Sequence, residues 1–497
     1  MKAYKQLAGQ TAIYGLSSIL GRMLNYLLVP IYTRVFDTAD YGVVTQLYAY
    51  VAFFNILFTY GLETAFFRFM QTEKGSSKVY STGLLSIIFS SALFTLLIIV
   101  FSHPLSGALL NGGSADASYI RIFAGILACD AITAIPFARL RQENKAKKFA
   151  ILRLINIGLN IGLNFFFLVL CPMLVKNNSF SWVVSIYDPS LGIGYVFIIN
   201  LVASAITLLL LLPEMKVPQL NFDTTLWKQM IVYSFPLMIA GFAGMINETF
   251  DRVLIPILIE NKSDAMSQLG IYGACYKLSI IMTLFIQTFR YAAEPFFFSH
   301  STKENPQIVY ANVMKYFIIV CSFIFLSVML YIDIIKFLIG PDFRSGMAVV
   351  PILLMANLFL GIFYNLSIWY KLTSKTRWGA WLSIFGAVIT LILNFLLIPV
   401  LGFIGAAWTT LFCYGSMMLV SYFIGQKHYP ISYNLRSFFF YIILALILWQ
   451  ASSFITQWFA FSTNQTLLFN SIFLMLFVSL TWATERGKIN YLRSGMN

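Results

Sequence analysis

The sequence predicts an all-α integral membrane protein with about fourteen transmembrane helices. Of its 497 residues, 59% are hydrophobic and only 10% are charged, whereas about a quarter of the residues in a soluble protein are charged. Apolar runs of eighteen or more residues recur along the whole chain, and each is long enough to cross a hydrocarbon layer about 30 Å thick. A chain with this pattern crosses a membrane many times.

Fourteen spans are predicted from the apolar runs between charged or turn-rich breaks. The first run has no small-residue cleavage site after it, so it is predicted to be a retained helix rather than a signal peptide. The predicted spans are 11–33, 42–64, 80–102, 117–139, 152–174, 191–213, 232–256, 266–289, 310–332, 346–369, 378–400, 402–424, 435–457 and 466–484.

Lysine and arginine are distributed unevenly between the two ends of the spans. With the N-terminus in the cytoplasm, twenty-four of the 33 lie on the cytoplasmic side, five on the opposite side and four within spans. This bias follows the positive-inside rule and predicts a multi-pass membrane protein with both termini in the cytoplasm. Because topology accounts for the net charge of +14, nucleic acid is not predicted as a partner.

An internal repeat is visible at nearly constant displacement along the chain. The matched positions are Lys145 with Lys375, Asn164 with Asn394, and Gly42 with Gly270. Gly192 and Gly402 also correspond once a longer outer loop is allowed in the first copy. Since an even number of spans separates the copies, they share one orientation around an axis along the membrane normal.

The repeat predicts two six-helix lobes in parallel orientation around a central cavity. The predicted N-terminal lobe is 1–220 and the predicted C-terminal lobe is 221–428. Residues 429–497 lie outside the repeat and are predicted to form two additional transmembrane helices and a cytoplasmic tail.

Charged residues inside spans mark a candidate substrate site, because a charge at mid-bilayer costs about 2.5–3.5 kcal/mol on insertion scales. The seventh span carries three such residues on one helical face, at i, i+3 and i+4. We predict that these residues and their counterparts on spans one and eight face the cavity and bind an anionic headgroup. The predicted substrate-binding residues are Arg22, Asn25, Glu248, Asp251, Arg252 and Lys277.

A structural interpretation of the same residues stays open. Asp251 and Arg252 would then only neutralise partners on neighbouring helices. Near the cytoplasmic end of span two, Glu63 is predicted to pair with Arg68. Roles for Arg121 and Asp130 on span four are left open.

The fifth span is predicted to be a packing helix rather than a substrate site. Its polar residues recur at turn spacing, and two glycines four residues apart would allow a close helix contact, with buried amides bonding across it. These residues are Arg153, Asn156, Asn160 and Asn164, with Gly158 and Gly162.

Signatures of catalysis are missing from the sequence. The 3 histidines lie in or near loops, and no arrangement of thiol, hydroxyl and imidazole suggests a nucleophile. No phosphate-binding glycine loop with lysine is present. We therefore predict a protein that is not an enzyme and that uses no metal or cofactor.

Four motifs together resemble the polysaccharide-transporter branch of the multidrug/oligosaccharidyl-lipid/polysaccharide exporter superfamily. They are Tyr60-Gly-Leu-Glu-Thr-Ala-Phe-Phe-Arg-Phe69, Leu140-Arg-Gln-Glu-Asn-Lys-Ala-Lys-Lys-Phe149, Asp251-Arg252 before Gly270-Ile-Tyr-Gly273, and Leu393-Asn394 before Gly402-Phe-Ile-Gly-Ala406. The resemblance covers nearly the full chain and reaches branch level, not the substrate.

This resemblance implies a flippase of the bacterial inner membrane that moves undecaprenyl-pyrophosphate-linked oligosaccharide from the cytoplasmic to the periplasmic leaflet by alternating access. The substrate would be a repeat unit of O-antigen, capsule or exopolysaccharide, gripped through its pyrophosphate by Arg22, Arg252 and Lys277. It further implies a monomer among membrane lipids, a coupling ion (proton or sodium) or the membrane potential as driving force, and a glycan polymerase as possible partner. Alternatives are a peptidoglycan lipid-precursor flippase, a cation-coupled drug antiporter of the same superfamily, and a membrane glycan polymerase.

Overall fold

The computed structural model describes residues 23–24, 26–72, 77–110, 114–177, 181–216, 221–301 and 305–494, and helices are the only regular elements in these ranges. Twelve of the described helices are long and apolar enough to cross a membrane, and the broken pair Lys262–Leu278 and Ile280–Phe298 provides a thirteenth candidate span. These match the second to the fourteenth predicted spans. The first prediction, 11–33, lies mostly outside the described residues. The chain is thus an all-helical, multi-pass membrane protein.

The helices in the first part of the chain include several short segments beside the long spans. Their bounds are Val29–Val35, Thr38–Thr59, Leu62–Thr72, Ser77–Val100, Ser102–Leu109, Ser114–Gln142, Ala146–Phe165, a π-helical turn Phe166–Leu170, Cys171–Lys176, Ser181–Ile186, a 3₁₀ turn Pro189–Leu191, Gly194–Met215, Thr224–Leu258 and Lys262–Leu278.

The helices that follow the break at Ser279 are mostly single long spans. Their bounds are Ile280–His300, Pro306–Leu330, Ile332–Ile335, the 3₁₀ turns Lys336–Leu338 and Pro341–Gly346, Val349–Leu366, Ile368–Leu372, Arg377–Leu401, Phe403–His428, Leu435–Trp458 and Thr463–Ser494.

Two compact units make up the chain. One is Met1–Ala274 with Thr390–Phe403, and the other is Cys275–Ile389 with Ile404–Asn497. These bounds differ from the predicted lobes, 1–220 and 221–428, whose boundaries stay a prediction.

The repeat seen in the sequence extends to the backbone. Asn144 and Ser374, which precede the matched lysines of the two copies, both have positive φ, 58° and 56°. In each copy the backbone amide of the following lysine donates a hydrogen bond of 2.8 Å to the backbone carbonyl five residues earlier. Gly192 and Gly402 likewise share positive φ, 46° and 59°, in the region that favours glycine. The turns at Asn144 and Ser374 therefore share the same positive-φ residue and the same hydrogen bond in the two halves.

Span two is interrupted near its second end. Tyr60 and Gly61 have φ of 35° and 70°, which ends helix Thr38–Thr59 before Leu62 resumes helical conformation. A Cβ on Gly61 would lie 3.1 Å from the carbonyl oxygen of Ser234, so the break packs closely against helix Thr224–Leu258. Non-helical backbone at membrane depth is tolerated where protein covers it or where it borders a cavity.

Candidate substrate-binding site

Helix Thr224–Leu258 carries the central part of the predicted site. Its first turn is capped by Asp223, whose side chain accepts from the amides of residues 225 and 226. Farther along the helix, Asp251 and Arg252 are 4% and 8% exposed, whereas Glu248 is exposed. The i, i+3, i+4 spacing therefore brings the three residues to one region of the helix, but with unequal access.

Asp251 and Arg252 interact with each other and with their immediate neighbours. The Arg252 guanidinium donates to the Glu248 backbone carbonyl at 2.6 Å and lies 3.3 Å from the Asp251 carboxylate. The second carboxylate oxygen of Asp251 accepts from the Tyr272 hydroxyl at 2.5 Å. The two charges therefore offset each other within one helix. Neutralisation by charged partners on neighbouring helices and substrate binding by Arg252 both stay predictions.

The polar cluster continues to Asn247 and Thr390. Asn247 is 7% exposed, and its side-chain oxygen accepts from the Thr390 hydroxyl at 3.4 Å. One turn after Thr390, Asn394 is fully buried and neither polar atom of its amide has a hydrogen-bond partner among the described residues. Asn394 matches Asn164 in the repeat and is not among the predicted site residues.

A glycine crossing holds helix Lys262–Leu278, and with it Tyr272, against helix Thr38–Thr59. A Cβ on Gly42 would collide with the carbonyl oxygen of Met266, and a Cβ on Gly270 with that of Thr38. The repeat matches Gly42 with Gly270 and, at the same displacement, Thr38 with Met266. The two collisions are therefore equivalent, and matching residues of the two copies meet at this crossing. The contact depends on two backbones approaching closer than any side chain allows.

The structure shows less about the three remaining predicted site residues. Lys277 is half-buried in the last turn of helix Lys262–Leu278, just before the break at Ser279. Arg22 and Asn25 lie outside the described residues. Their predicted contact with substrate stays a prediction.

Span five bears out one part of its packing prediction and contradicts the other. The Asn156 amide donates to the Thr207 hydroxyl at 2.9 Å, and Asn164 accepts from the Tyr32 hydroxyl at 2.9 Å. The predicted hydrogen bonds between helices are thus confirmed. Within the described part of the chain the predicted close approach at Gly158 and Gly162 is wrong, since a Cβ added at either position meets none of its atoms within 4 Å.

Glu63 has a different partner from the predicted one. It forms an ion pair with Arg141, while Arg68 lies over the Tyr233 ring with 4.2 Å to the centroid. The predicted Glu63 and Arg68 pair is therefore wrong. In the second copy, at matching displacement, Lys371 pairs with Glu294 at 2.5 Å.

A buried ion pair in the second unit was not predicted from the sequence. Lys315 is 8% exposed and donates to Glu485, which is 3% exposed, at 2.5 Å. The other carboxylate oxygen of Glu485 accepts from the Tyr441 hydroxyl at 2.9 Å. A signal was available, because Lys315 lies five residues inside the predicted span 310–332 and Glu485 directly follows the predicted span 466–484.

Family membership follows from the sequence as a whole. The sequence model of a family described as polysaccharide biosynthesis protein matches residues 7–301, more than half of the chain. The chain belongs to this polysaccharide biosynthesis family. No curated protein matches this member of the family.

Solved structures with the same fold come from the multidrug/oligosaccharidyl-lipid/polysaccharide exporter superfamily. The lipid II flippase MurJ, in an inward closed conformation, is 14% identical with a TM-score of 0.73, over 94% of this family member and 98% of MurJ. An inward-facing multidrug resistance MATE transporter is 12% identical with a TM-score of 0.65, over 81% of this chain and 93% of the transporter. An outward-facing MATE transporter is 12% identical with a TM-score of 0.57, over 84% and 94%.

These similarities assign the family member to a transporter fold, in agreement with the motif resemblance. Both kinds of solved relative are transporters rather than enzymes. Within the described ranges, no group of three or more histidine, cysteine, aspartate or glutamate side chains is arranged to hold a metal ion.

Proposed function

We propose that the protein is a flippase for undecaprenyl-pyrophosphate-linked oligosaccharide in the bacterial inner membrane. It moves a repeat unit of O-antigen, capsule or exopolysaccharide from the cytoplasmic to the periplasmic leaflet by alternating access. Both termini lie in the cytoplasm. The protein acts as a monomer, and a glycan polymerase uses the delivered units.

The observation that carries this proposal is membership of the polysaccharide biosynthesis family by a chain whose fold matches a lipid II flippase over 94% of its length. A polysaccharide pathway supplies the sugar, and a flippase fold supplies the transport step. The positive-inside bias of the loops supports the proposed orientation.

The polar cluster of helix Thr224–Leu258 is the proposed contact for the pyrophosphate. Arginine suits this role because its planar guanidinium can grip a phosphate through two parallel hydrogen bonds. In the present geometry Arg252 bonds to Asp251 and to a backbone carbonyl. We propose that the substrate phosphate replaces Asp251 as a partner of Arg252 during transport, driven by a coupling ion or by the membrane potential.

A leaflet-resolved assay tests the function directly. Purified protein is reconstituted into liposomes containing lipid-linked oligosaccharide, and sugar exposed on each face is measured with an impermeant probe. We expect protein-dependent equilibration between the leaflets. Equal rates in protein-free liposomes and in proteoliposomes, with correctly inserted protein, would contradict the proposal.

Peptidoglycan-precursor transport is the second candidate, favoured by the TM-score of 0.73 to MurJ. Deletion of the gene separates the two functions. Loss of surface glycan in viable cells supports oligosaccharide transport, whereas arrest of wall synthesis supports the precursor flippase. Accumulated single repeat units on the outer face would instead indicate a polymerase.

Substitution of Arg252 tests the substrate contact. Arg252→Ala should lower the flipping rate by about tenfold, while Arg252→Lys, which keeps the charge and loses the paired hydrogen bonds, should have a smaller effect. The matched control is Tyr272→Phe, which removes a bond to Asp251 and leaves the cation in place. If flipping falls only in proportion to folded protein in the membrane, Arg252 has a structural role alone.

A further inference from the structure

A cavity of about 940 Å³ lies between helix Ser77–Val100 and the first turns of helix Thr224–Leu258. We call it the span-three cavity; its walls include Phe89, Leu93 and Phe222. Its volume falls in the range of about 300–1,000 Å³ found for ligand pockets. Phe89 is 74% exposed and Phe222 is 45% exposed, so the cavity opens at the surface of the first unit.

Three polar side chains at the floor of the span-three cavity are hydrogen-bonded to one another. The Trp227 indole donates to the Ser86 hydroxyl at 2.7 Å, and the Tyr60 hydroxyl bonds to the same Ser86 oxygen at 2.7 Å. The helix break at Tyr60 and Gly61 delivers this hydroxyl. Since these polar atoms already have partners, a ligand resting on the floor needs no hydrogen-bonding groups, and a hydrocarbon chain fits there.

The second half of the repeat shows what covers the equivalent surface. The displacement that matches Lys145 to Lys375 carries Ser86, Phe89, Ser90 and Leu93 onto Tyr316, Ile319, Val320 and Phe323. These four line a smaller cavity, of about 270 Å³, whose other wall includes Phe477 and Trp482 of the last helix.

The last helix therefore fills most of the depression in the second half. In the most apolar 18-residue stretch of helix Pro306–Leu330, 61% of the residues are buried, whereas 28% are buried in the corresponding stretch of helix Ser77–Val100. No segment of the described chain covers the span-three cavity in the same way. The first half therefore keeps an open, concave apolar cavity, whereas the last helix occupies the equivalent place in the second half.

Charge distinguishes the two cavities further. Glu485 borders the smaller cavity and is neutralised by Lys315. Lys228 borders the span-three cavity, is exposed, and forms no ion pair with any carboxylate of the described residues. A cation at the rim of an apolar cavity is complementary to a lipid with an anionic headgroup.

Depth in the membrane agrees with a lipid of the cytoplasmic leaflet. Helices Ser77–Val100 and Thr224–Leu258 both begin at the face that sequence analysis assigns to the cytoplasm. Ser86 lies nine residues after Ser77, about 14 Å along the helix axis at 1.5 Å per residue. The cavity thus lies in the leaflet from which the proposed function takes its cargo.

We propose that the span-three cavity binds the isoprenoid chain of a phosphorylated polyprenyl carrier, with the phosphate at Lys228. This inference rests on the proposed function and adds a loading site for the lipid part of the substrate. One cation at the rim of one apolar cavity matches a polyprenyl phosphate, which joins a single phosphate headgroup to a long hydrocarbon chain.

Binding to purified full-length protein in phosphatidylcholine nanodiscs tests the site, with undecaprenyl phosphate as the probe and native mass spectrometry as the readout. Ser90→Trp fills the cavity and should weaken binding by at least about tenfold. The matched control, Leu96→Trp, places the same side chain on an exposed position of the same helix outside the cavity and should bind normally.

A second pair of variants tests the headgroup contact without altering the cavity. Lys228→Gln should weaken binding roughly fivefold, since one cation near the membrane surface contributes about 1 kcal/mol toward an anionic lipid. The control is Lys176→Gln, at the end of helix Cys171–Lys176. This variant should bind undecaprenyl phosphate as the unaltered protein does. Uncharged polyprenol should bind the unaltered protein as weakly as the phosphate binds Lys228→Gln.

Two results would overturn the inference. One is unchanged binding of undecaprenyl phosphate in both Ser90→Trp and Lys228→Gln. The other is displacement of the probe by an equal concentration of phosphatidylglycerol, which would make the cavity a general phospholipid site.

The flipping assay separates this inference from the proposed function. If the unaltered protein binds the probe at the cavity but does not flip lipid-linked sugar, the cavity stands and the proposed function fails. If it flips the sugar and Ser90→Trp binds the probe and flips equally well, the proposed function stands and the loading site fails.

Discussion

Asn164 in the first half of the repeat and Asn394 in the second are both fully buried, yet their surroundings differ. The Asn164 amide accepts from Tyr32 at 2.9 Å and donates to the Asn160 carbonyl at 2.8 Å. The Asn394 amide has no partner among the described residues. Duplication has thus kept the residue while its polar contacts have diverged.

Other equivalent positions diverge to different degrees. The ion pair of Glu63 with Arg141 has a counterpart in Glu294 with Lys371. Lys315, in contrast, corresponds in the repeat to an apolar residue, Leu85. The extra C-terminal helix supplies the carboxylate that makes a lysine tolerable there. Divergence is therefore greatest where one half has gained a neighbour that the other half lacks.

The largest effect is expected from breaking the pair that the second half has gained. Glu485→Ala leaves Lys315 as an uncompensated buried charge and should lower the free energy of unfolding by about 3–5 kcal/mol. The double variant Lys315→Leu with Glu485→Leu should recover most of the loss, because it restores the apolar residue of the first half. Thermal unfolding of purified protein measures both; a single variant as stable as the unaltered protein would contradict the pair's role.

The glycine crossing, where the two copies meet, should give the next largest effect. Gly42→Ala or Gly270→Ala forces a Cβ against a backbone carbonyl and should destabilise by about 1–3 kcal/mol. Gly158→Ala and Gly162→Ala are matched controls in open space and should stay within about 0.5 kcal/mol. Equal unfolding temperatures for all four variants would show that the crossing does not depend on glycine.

The two buried asparagines should respond differently to the same change. Asn164→Leu leaves the Tyr32 hydroxyl without its acceptor and should destabilise by about 1–3 kcal/mol. Asn394→Leu breaks no described hydrogen bond and should be neutral or stabilising. Unfolding and flipping are measured together, so that an effect of Asn394 on transport alone would assign it to function. Equal destabilisation by the two variants would contradict the predicted difference between the two asparagines.

The smallest effects are expected where the two halves agree. Arg141→Ala and Lys371→Ala each break a partly exposed ion pair, and each should cost less than about 1 kcal/mol. Raising the salt concentration should reduce the difference from the unaltered protein, because exposed charges are screened. The test is a pair of unfolding curves at low and high salt; a large loss in only one variant would show that the pairs are not equivalent.

The sequence by itself determined the class of fold, thirteen of the spans with ends within nine residues of the helices, and the existence of the repeat. These properties are local, because the length and composition of an apolar run decide whether it crosses a membrane. The match of Lys145 with Lys375 was visible in the sequence, whereas the turns at Asn144 and Ser374 were not predicted from it. For the candidate site, Asp251 and Arg252 are adjacent in the chain, so their contact needs no tertiary information, and substrate binding by them stays a prediction.

Only the tertiary structure decided which side chains meet. Glu63 pairs with Arg141, on a helix far along the chain, rather than with its neighbour Arg68, and Lys315 finds Glu485 on the last helix. Periodicity shows which residues share a face of a helix, but not which helix packs against that face. That choice depends on the combined shape and charge of several helices, so partners, cavities and close crossings emerge only when the chain is packed.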